Sequence, residues 1–215
     1  MLFNIVCTLA FYPLLLAGSV LAQEPTTTVP TRTDSPCPTE TPATPLSGYV
    51  CSDYRLGPTS LPTASPIANM LVGYKQFGGV SPQAYFHHWF NSSASRPAYI
   101  NPPGNGFELD AYGRPMFANV TFRVGDLLDR FGARNGSFLS RRGTPYAQRA
   151  VSPRNISPTS GFVYYLFNVT RAFDAQQGRS APWFGQPGGE FQYYLQHNYT
   201  ENLREDGYLD LLESH

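Results

Sequence analysis

Proline and glycine punctuate this chain from end to end, with 20 prolines and 19 glycines in 215 residues. Proline lacks an amide donor and glycine costs backbone entropy inside a helix, so a chain broken this often favours short strands and turns over long helices. Between Gly48 and Pro115 the apolar residues Leu71, Val72, Tyr85, Phe86, Trp89 and Phe90 come in short bursts. That pattern predicts an irregular segment with a little helix around Pro82 to Phe90. Farther on, Phe117 to Phe122, Gly161 to Val169 and Phe191 to Leu195 combine aromatic and β-branched residues between Gly and Pro, and read as strands. The best helix signal after them is Thr200 to Glu205. With no βαβ alternation and no internal repeat, the expected class is a β-rich α+β fold. It would have a compact mixed or antiparallel sheet core, few short helices and an irregular N-terminal extension.

The N-terminus sets the expected compartment. Met1 to Ala22 carries no charged side chain, centres on Phe11 to Leu16, and places Val20 and Ala22 as a cleavage site would need them, which reads as a secretory signal peptide over 1–22. The Thr- and Pro-rich stretch 23–47 cannot bury enough apolar surface to offset backbone ordering and reads as a flexible, O-glycosylated arm. An extension over 48–115 docked on a catalytic domain over 116–215 completes the expected organisation. Cleavage of the leader removes Cys7 and leaves Cys37 and Cys51, a pair expected to form a disulfide in an oxidising compartment. Secretion also gives meaning to the sequons at Asn91, Asn119, Asn135, Asn155, Asn168 and Asn198. Of these, Asn135 and Asn155 are the expected bare ones. Fifteen basic and fifteen acidic residues balance, so bulk nucleic-acid or membrane-surface binding is not expected. Nor does the C-terminus offer the hydrophobic tail of a lipid-anchor signal.

The chemistry concentrates between Asp129 and Arg154. This stretch gathers Arg130, Arg134, Arg141, Arg142, Arg149 and Arg154 around glycine turns and spaced aromatics, with Asp129 as its single acid. Arginine forks pair with phosphate oxygens and aromatic faces stack on heterocycles, so the combination suits a nucleotide-like ligand. Three pieces stand in order: Arg130-Phe131-Gly132, Gly136-Ser137-Phe138-Leu139, and Gly143-Thr144-Pro145-Tyr146-Ala147-Gln148-Arg149. A second block, Ala181-Pro-Trp-Phe-Gly-Gln-Pro-Gly-Gly-Glu-Phe-Gln-Tyr193, follows, and Asn202 to Leu212 closes the series.

In this order the blocks resemble the NAD glycohydrolase domain typified by tuberculosis necrotizing toxin and its secreted fungal relatives. The resemblance covers roughly Phe117 to Leu212. It implies a secreted NAD(P) glycohydrolase that takes NAD+ and NADP+ as substrates and needs no cofactor. Arg130, Gln192 and Arg149 would form its polar centre, with Phe131 and Phe138 as aromatic walls beside the two arginines. The secreted fungal relatives imply a homodimer. One departure stands out: where the family has a small residue or Thr before the Gln, this chain has Glu190-Phe191.

Such a site fits the reaction. The nicotinamide nitrogen of NAD+ is cationic before cleavage and leaves neutral, so the acid that an ordinary glycosidase needs for its leaving oxygen is dispensable. Pyrophosphate clamps, aromatic walls and polar groups that favour an oxocarbenium-like ribose and a water are what remain to be supplied. Each residue also has a plainer reading. Arg130 and Arg149 suit surface salt bridges with Asp126 or Asp129, Phe131 and Phe138 suit a core, and Gln192 suits a solvated strand. Adjacent His87 and His88 lack partners at zinc-ligand spacing. Some fungal relatives hold Ca2+ near the C-terminus, but Glu201, Glu205, Asp206, Asp210 and Glu213 match no calcium loop and read as a solvated acidic face. An ADP-ribosyl transferase or cyclase shares the bond cleavage, and a non-catalytic surface glycoprotein would account for the arm and sequons alone.

Overall fold

The computed structural model describes residues 37–40, 44–157, 163–196 and 198–215. The proposed leader and most of the Thr/Pro arm lie outside the described residues. Seven antiparallel strands form the main sheet: β3 (Ala118–Phe122), β4 (Leu127–Gly132), β5 (Phe138–Arg141), β6 (Val163–Val169), β7 (Phe173–Arg179), β8 (Phe191–Tyr194) and β9 (Leu209–Ser214). Their spatial order is β3-β7-β8-β5-β4-β6-β9. A two-stranded pair, β1 (Phe90–Asn91) and β2 (Ala98–Tyr99), and the helices α1 (Ile67–Met70), α2 (Pro82–Trp89) and α3 (Thr200–Glu205) complete the regular elements. The β-rich class is therefore as expected. Helix α2 begins as capping chemistry requires, with Ser81 accepting from the Ala84 amide and Pro82 in the first turn. His87 and His88 sit in the last turn of this helix, within the stretch expected to be helical.

Side chains alternate across a strand, so each strand feeds two layers. One face buries Phe122, Leu128, Leu139, Tyr165, Phe167, Ala175 and Tyr193 against Leu203 of α3 and Leu209. From the opposite face, Phe131, Tyr164 and Leu166 pack with Met70, Leu71, Tyr74, Tyr146 and Ile156. A third cluster, Leu56, Tyr85, Phe86, Phe90, Tyr99 and Phe184, joins the N-terminal elements to the 181–186 loop. The N-terminal segment also extends the sheet. Phe107 bridges Ser180, and Glu108 N–H donates to Arg179 O (2.9 Å).

Strands β4, β5, β7 and β9 carried weak sequence signals. Strand β7, Phe-Asp-Ala-Gln-Gln-Gly-Arg, is half polar, and Gly178 sits where a Cβ would strike Met116 O and the Phe107 ring. Its identity comes from pairing with β3 and β8, not from its own propensity. Asn91, Asn119, Asn135 and Asn198 are exposed, whereas Asn155 and Asn168 are half-buried.

Cys37 and Cys51 are joined by a disulfide across 14 residues of sequence. Closing a loop of that length restricts the unfolded chain, so a Cys37→Ser/Cys51→Ser double variant should lose about 2–4 kcal/mol in denaturant unfolding. Finding two free thiols in the non-reduced, denatured protein would contradict the linkage.

Candidate active site

The strand register assembles the site. Asp129 on β4 lies opposite Ser140 on β5, which lies opposite Gln192 on β8, so these three side chains share one face. They line a cleft of about 520 Å³ together with Arg130, Phe131, Phe138 and Arg149. All five sequence-predicted residues thus meet in one place. The facing wall comes from the N-terminal segment: Ala98, Tyr99, Asn101, Pro102, Asn105 and Gly106. Gln192 reaches across, its Nε2 donating to Asn105 O (3.0 Å). Gly106 makes that reach possible: its φ is +76°, and a Cβ there would sit 3.3 Å from Gln192 Nε2.

The two arginines have different lives. Arg149 is 7% exposed and Asp129 is fully buried. Arg149 Nη1 stands 2.6 Å from Asp129 Oδ1, and Nη2 donates to Oδ2 (2.9 Å), giving a fork-on-carboxylate pair. Nε and Nη2 of Arg149 also donate to Thr144 O (2.9 and 2.8 Å). Asp129 Oδ2 further accepts from the Gly143 amide (2.9 Å) and from Tyr164 Oη (3.2 Å). Burial first, and then the Asp129 carboxylate, push the Tyr164 phenol above its ordinary range. Arg149 is therefore held by protein partners through Nε and Nη2 and by the ion pair at Nη1, and braces the Gly143–Thr144 turn against β4. The Asp129 salt bridge expected as its plainer reading is present, but in the interior.

Arg130 has no such partner. The β4–β5 ladder ends at the Asp129–Ser140 pair, and the Arg130 side chain occupies the opening beyond it. Its Nε donates to Ala133 O (2.6 Å) and Nη1 to Phe138 O (2.7 Å), one carbonyl from each arm of the hairpin. A Cβ at Gly136 would overlap the guanidinium, so only glycine leaves room for it. Among the described residues no carboxylate pairs with Arg130, and desolvation by burial draws its pKa down to about 10. It stays cationic at neutral pH. Because the folded state disfavours that charge, the resulting cost to stability is present below pH 10 and fades only as the pH climbs through it. A bound anion offsets the same cost.

The turn carrying this arginine is fastened from behind by a residue that the sequence did not single out. Thr200, fully buried at the start of α3, donates through Oγ1 to Arg134 O and Gly136 O, and its amide donates to Gly136 O (3.0 Å). Phe138 is half-buried and stacks on Tyr194 at 4.9 Å and 26°, keeping an edge toward the cleft. Phe131 is 7% exposed and packs edge-on to Tyr146 while forming part of the cleft floor. Sequence reasoning passed over Tyr99, Asn105 and Ser180 and gave Arg154 and Asn155 no separate role in the site, yet all five line the cleft. The first two lie outside the arginine-rich block and only the fold brings them in. Among the described residues no cluster of three His, Cys, Asp or Glu is placed to hold a metal ion.

The family model described as Tuberculosis necrotizing toxin matches residues 121–212, which includes β4, β5 and β8. The conidial surface nicotinamide adenine dinucleotide glycohydrolase of Aspergillus fumigatus is 40% identical over 168 residues, spanning 77% of this chain and 71% of that protein. The chain belongs to the tuberculosis necrotizing toxin family. A solved structure of tuberculosis necrotizing toxin, complexed with its immunity factor, aligns with a TM-score of 0.50 at 18% identity. That alignment covers 82% of this chain and 100% of the toxin, and bears on the fold alone. The family match ends short of the N-terminal segment that supplies the facing wall of the cleft.

The buried pair makes a direct prediction. Asp129→Asn leaves Arg149 buried without a counter-charge and should destabilise the protein by about 3–5 kcal/mol. Asp126→Asn, which breaks the exposed pair with Arg141 (2.6 Å), should cost less than about 1 kcal/mol. Urea unfolding of the two variants measures the contrast.

Proposed function

We propose that this chain is a secreted NAD(P)+ glycohydrolase that cleaves the bond between ribose and nicotinamide, releasing nicotinamide and ADP-ribose. The observation that carries the reading is the Arg130 guanidinium. It is held at the cleft by two carbonyls and has no carboxylate partner among the described residues, so it offers its remaining N–H groups to an anion. A pyrophosphate meets that need. Across the cleft, Gln192 is fixed by Asn105 O and turns an amide toward the space between. The A. fumigatus relative is named as an NAD glycohydrolase, which supports the same reading.

In this scheme Arg130 holds pyrophosphate, and Phe138 with its stacked partner Tyr194 forms an aromatic wall. Gln192 orients the reacting ribose or the attacking water. Phe131 supports the floor, and Arg149 keeps Asp129 and the Gly143 turn in place so that β4 presents Arg130 correctly. The C1′–N bond breaks with its electron pair passing to the ring nitrogen. Water then adds to C1′, its proton leaving to solvent, and no metal is required by the chemistry. The conidial-surface description of the relative supports an extracellular or cell-surface location. We place glycans on the exposed sequons Asn91, Asn119 and Asn198 and a homodimer among the properties to be tested by mass measurement.

Purified mature protein should consume etheno-NAD+ without added metal. Free ADP-ribose as product identifies a hydrolase, whereas cyclic ADP-ribose or labelled protein identifies the transferase class. Gln192→Ala should lower kcat by about 10²–10³-fold with the fold intact, the range for removing one preorganised polar group. Arg130→Ala should instead raise KM, and Arg130→Lys should rescue it poorly because a point charge does not reproduce the fork. Gly136→Ala should mimic Arg130→Ala by evicting the guanidinium. No turnover by folded protein, with or without calcium, would overturn the assignment.

A further inference from the structure

The acids of the cleft divide as sharply as its arginines. Among the described residues two carboxylates line it, Asp129 and Glu190. Asp129 is spent on Arg149, the Gly143 amide and Tyr164. Glu190 is half-buried, and among the described residues its carboxylate has neither a hydrogen-bond nor an ion-pair partner. Its backbone, by contrast, is pinned on both sides: the Glu190 amide donates to Gln148 O (3.4 Å), and Glu190 O accepts from the Ser180 amide (2.9 Å). Ser180 in turn donates through its hydroxyl to Gln148 O (2.6 Å). The nearest arginine on the neighbouring strand, Arg179, is engaged elsewhere. Its Nη1 donates to Gly189 O, and its guanidinium lies over the Phe191 ring at 4.9 Å.

A fixed backbone carrying an unpaired carboxylate into a cleft is an arrangement that awaits a cation or a donor from a ligand. Position says which part of the ligand. Strand β8 adjoins β5, and the register puts Phe138, whose carbonyl holds Arg130, opposite Tyr194, so Glu190 lies four residues farther along the strand axis, beyond Gln192, at the end of β8 away from the Arg130 turn. Among the described residues the cleft therefore has an unpaired cation, Arg130, on the β4–β5 hairpin and an unpaired anion, Glu190, at the start of β8. NAD+ has the matching polarity, with an anionic pyrophosphate and a cationic nicotinamide ring.

We infer that Glu190 is a specificity-determining residue that recognises the positive charge of the oxidised nicotinamide ring and so orients the dinucleotide in the cleft. The inference rests on the NAD glycohydrolase reading above. It adds that the site discriminates NAD+ from dinucleotides whose ring is neutral. It also gives product release a physical basis, because bond cleavage erases the ring charge and with it the attraction to Glu190. Fixed opposite charges at the two ends of a low-dielectric cleft set orientation more cheaply than additional contacts do.

The test compares NAD+ with NADH, which keeps the pyrophosphate and adenosine but has a neutral ring. In Glu190→Gln the shape is retained and the charge removed. KM for NAD+ should rise on the order of tenfold, while the constant for competitive inhibition by NADH stays within about twofold of wild type. Glu190→Ala should show the same separation, and unchanged NADH affinity in both variants reports that the cleft is intact. Equal shifts for the two dinucleotides, or no shift for either, would overturn the inference while leaving the glycohydrolase assignment standing. A wild-type protein that turns over no NAD+ would overturn the assignment itself.

Discussion

The buried Asp129–Arg149 pair is the constraint around which the rest of the site is arranged. Desolvating two charges costs several kcal/mol, and the cost is offset only where geometry and extra hydrogen bonds are both supplied. Here the fork meets the carboxylate with both nitrogens, and Thr144 O, the Gly143 amide and Tyr164 satisfy much of what remains. The partners come from four pieces of chain: β4, β6, the Gly143–Thr144 turn and the helical turn Tyr146–Arg149. Met70 of α1 also touches Arg149, with Sδ 3.6 Å from Nη2. A single interaction thereby joins the sheet to the turn and to the N-terminal segment.

What the pair releases is the neighbouring arginine. Asp129 faces Arg149 across a buried ion pair, no carboxylate among the described residues pairs with Arg130, and the hairpin holds it by carbonyls. A carbonyl orients a guanidinium without neutralising it. The outcome is a cation whose direction is set by Ala133 O, Phe138 O and the space at Gly136, and whose charge is left for the ligand. Two adjacent residues, one acid and one base, thus have separate duties because a strand sends their side chains to opposite sides.

Much of this was legible in the sequence, and the reasons differ by residue. Arg130, Arg149, Phe131, Phe138 and Gln192 stand in four spaced blocks, and the cleft brings all of them together. The blocks did not separate their roles. Arg149 and Arg130 look alike in sequence, and only the register that faces Asp129 inward tells which one is consumed. Tyr99, Asn105 and Gly106 were invisible because a wall built from a Pro- and Gly-rich segment has no periodicity to read, and its pairing with the sheet is long-range. Thr200 was read as part of a helix signal, which it is, but its buried hydroxyl also fastens the Arg130 turn across some 64 residues of sequence. Strand β7 escaped because its glycine and glutamines obey the needs of Phe107 and the neighbouring strands, not a hydrophobic alternation.

The central claim is that, of the three arginines lining the cleft, Arg149 is structural and Arg130 is open to an anion. Nitrogen-detected NMR of the arginine guanidinium groups during titration of the intact protein with inorganic pyrophosphate tests it most directly. The expected result is a saturable shift of the Arg130 resonances with those of Arg149 unmoved. A shift at Arg149 with Arg130 silent would contradict the account.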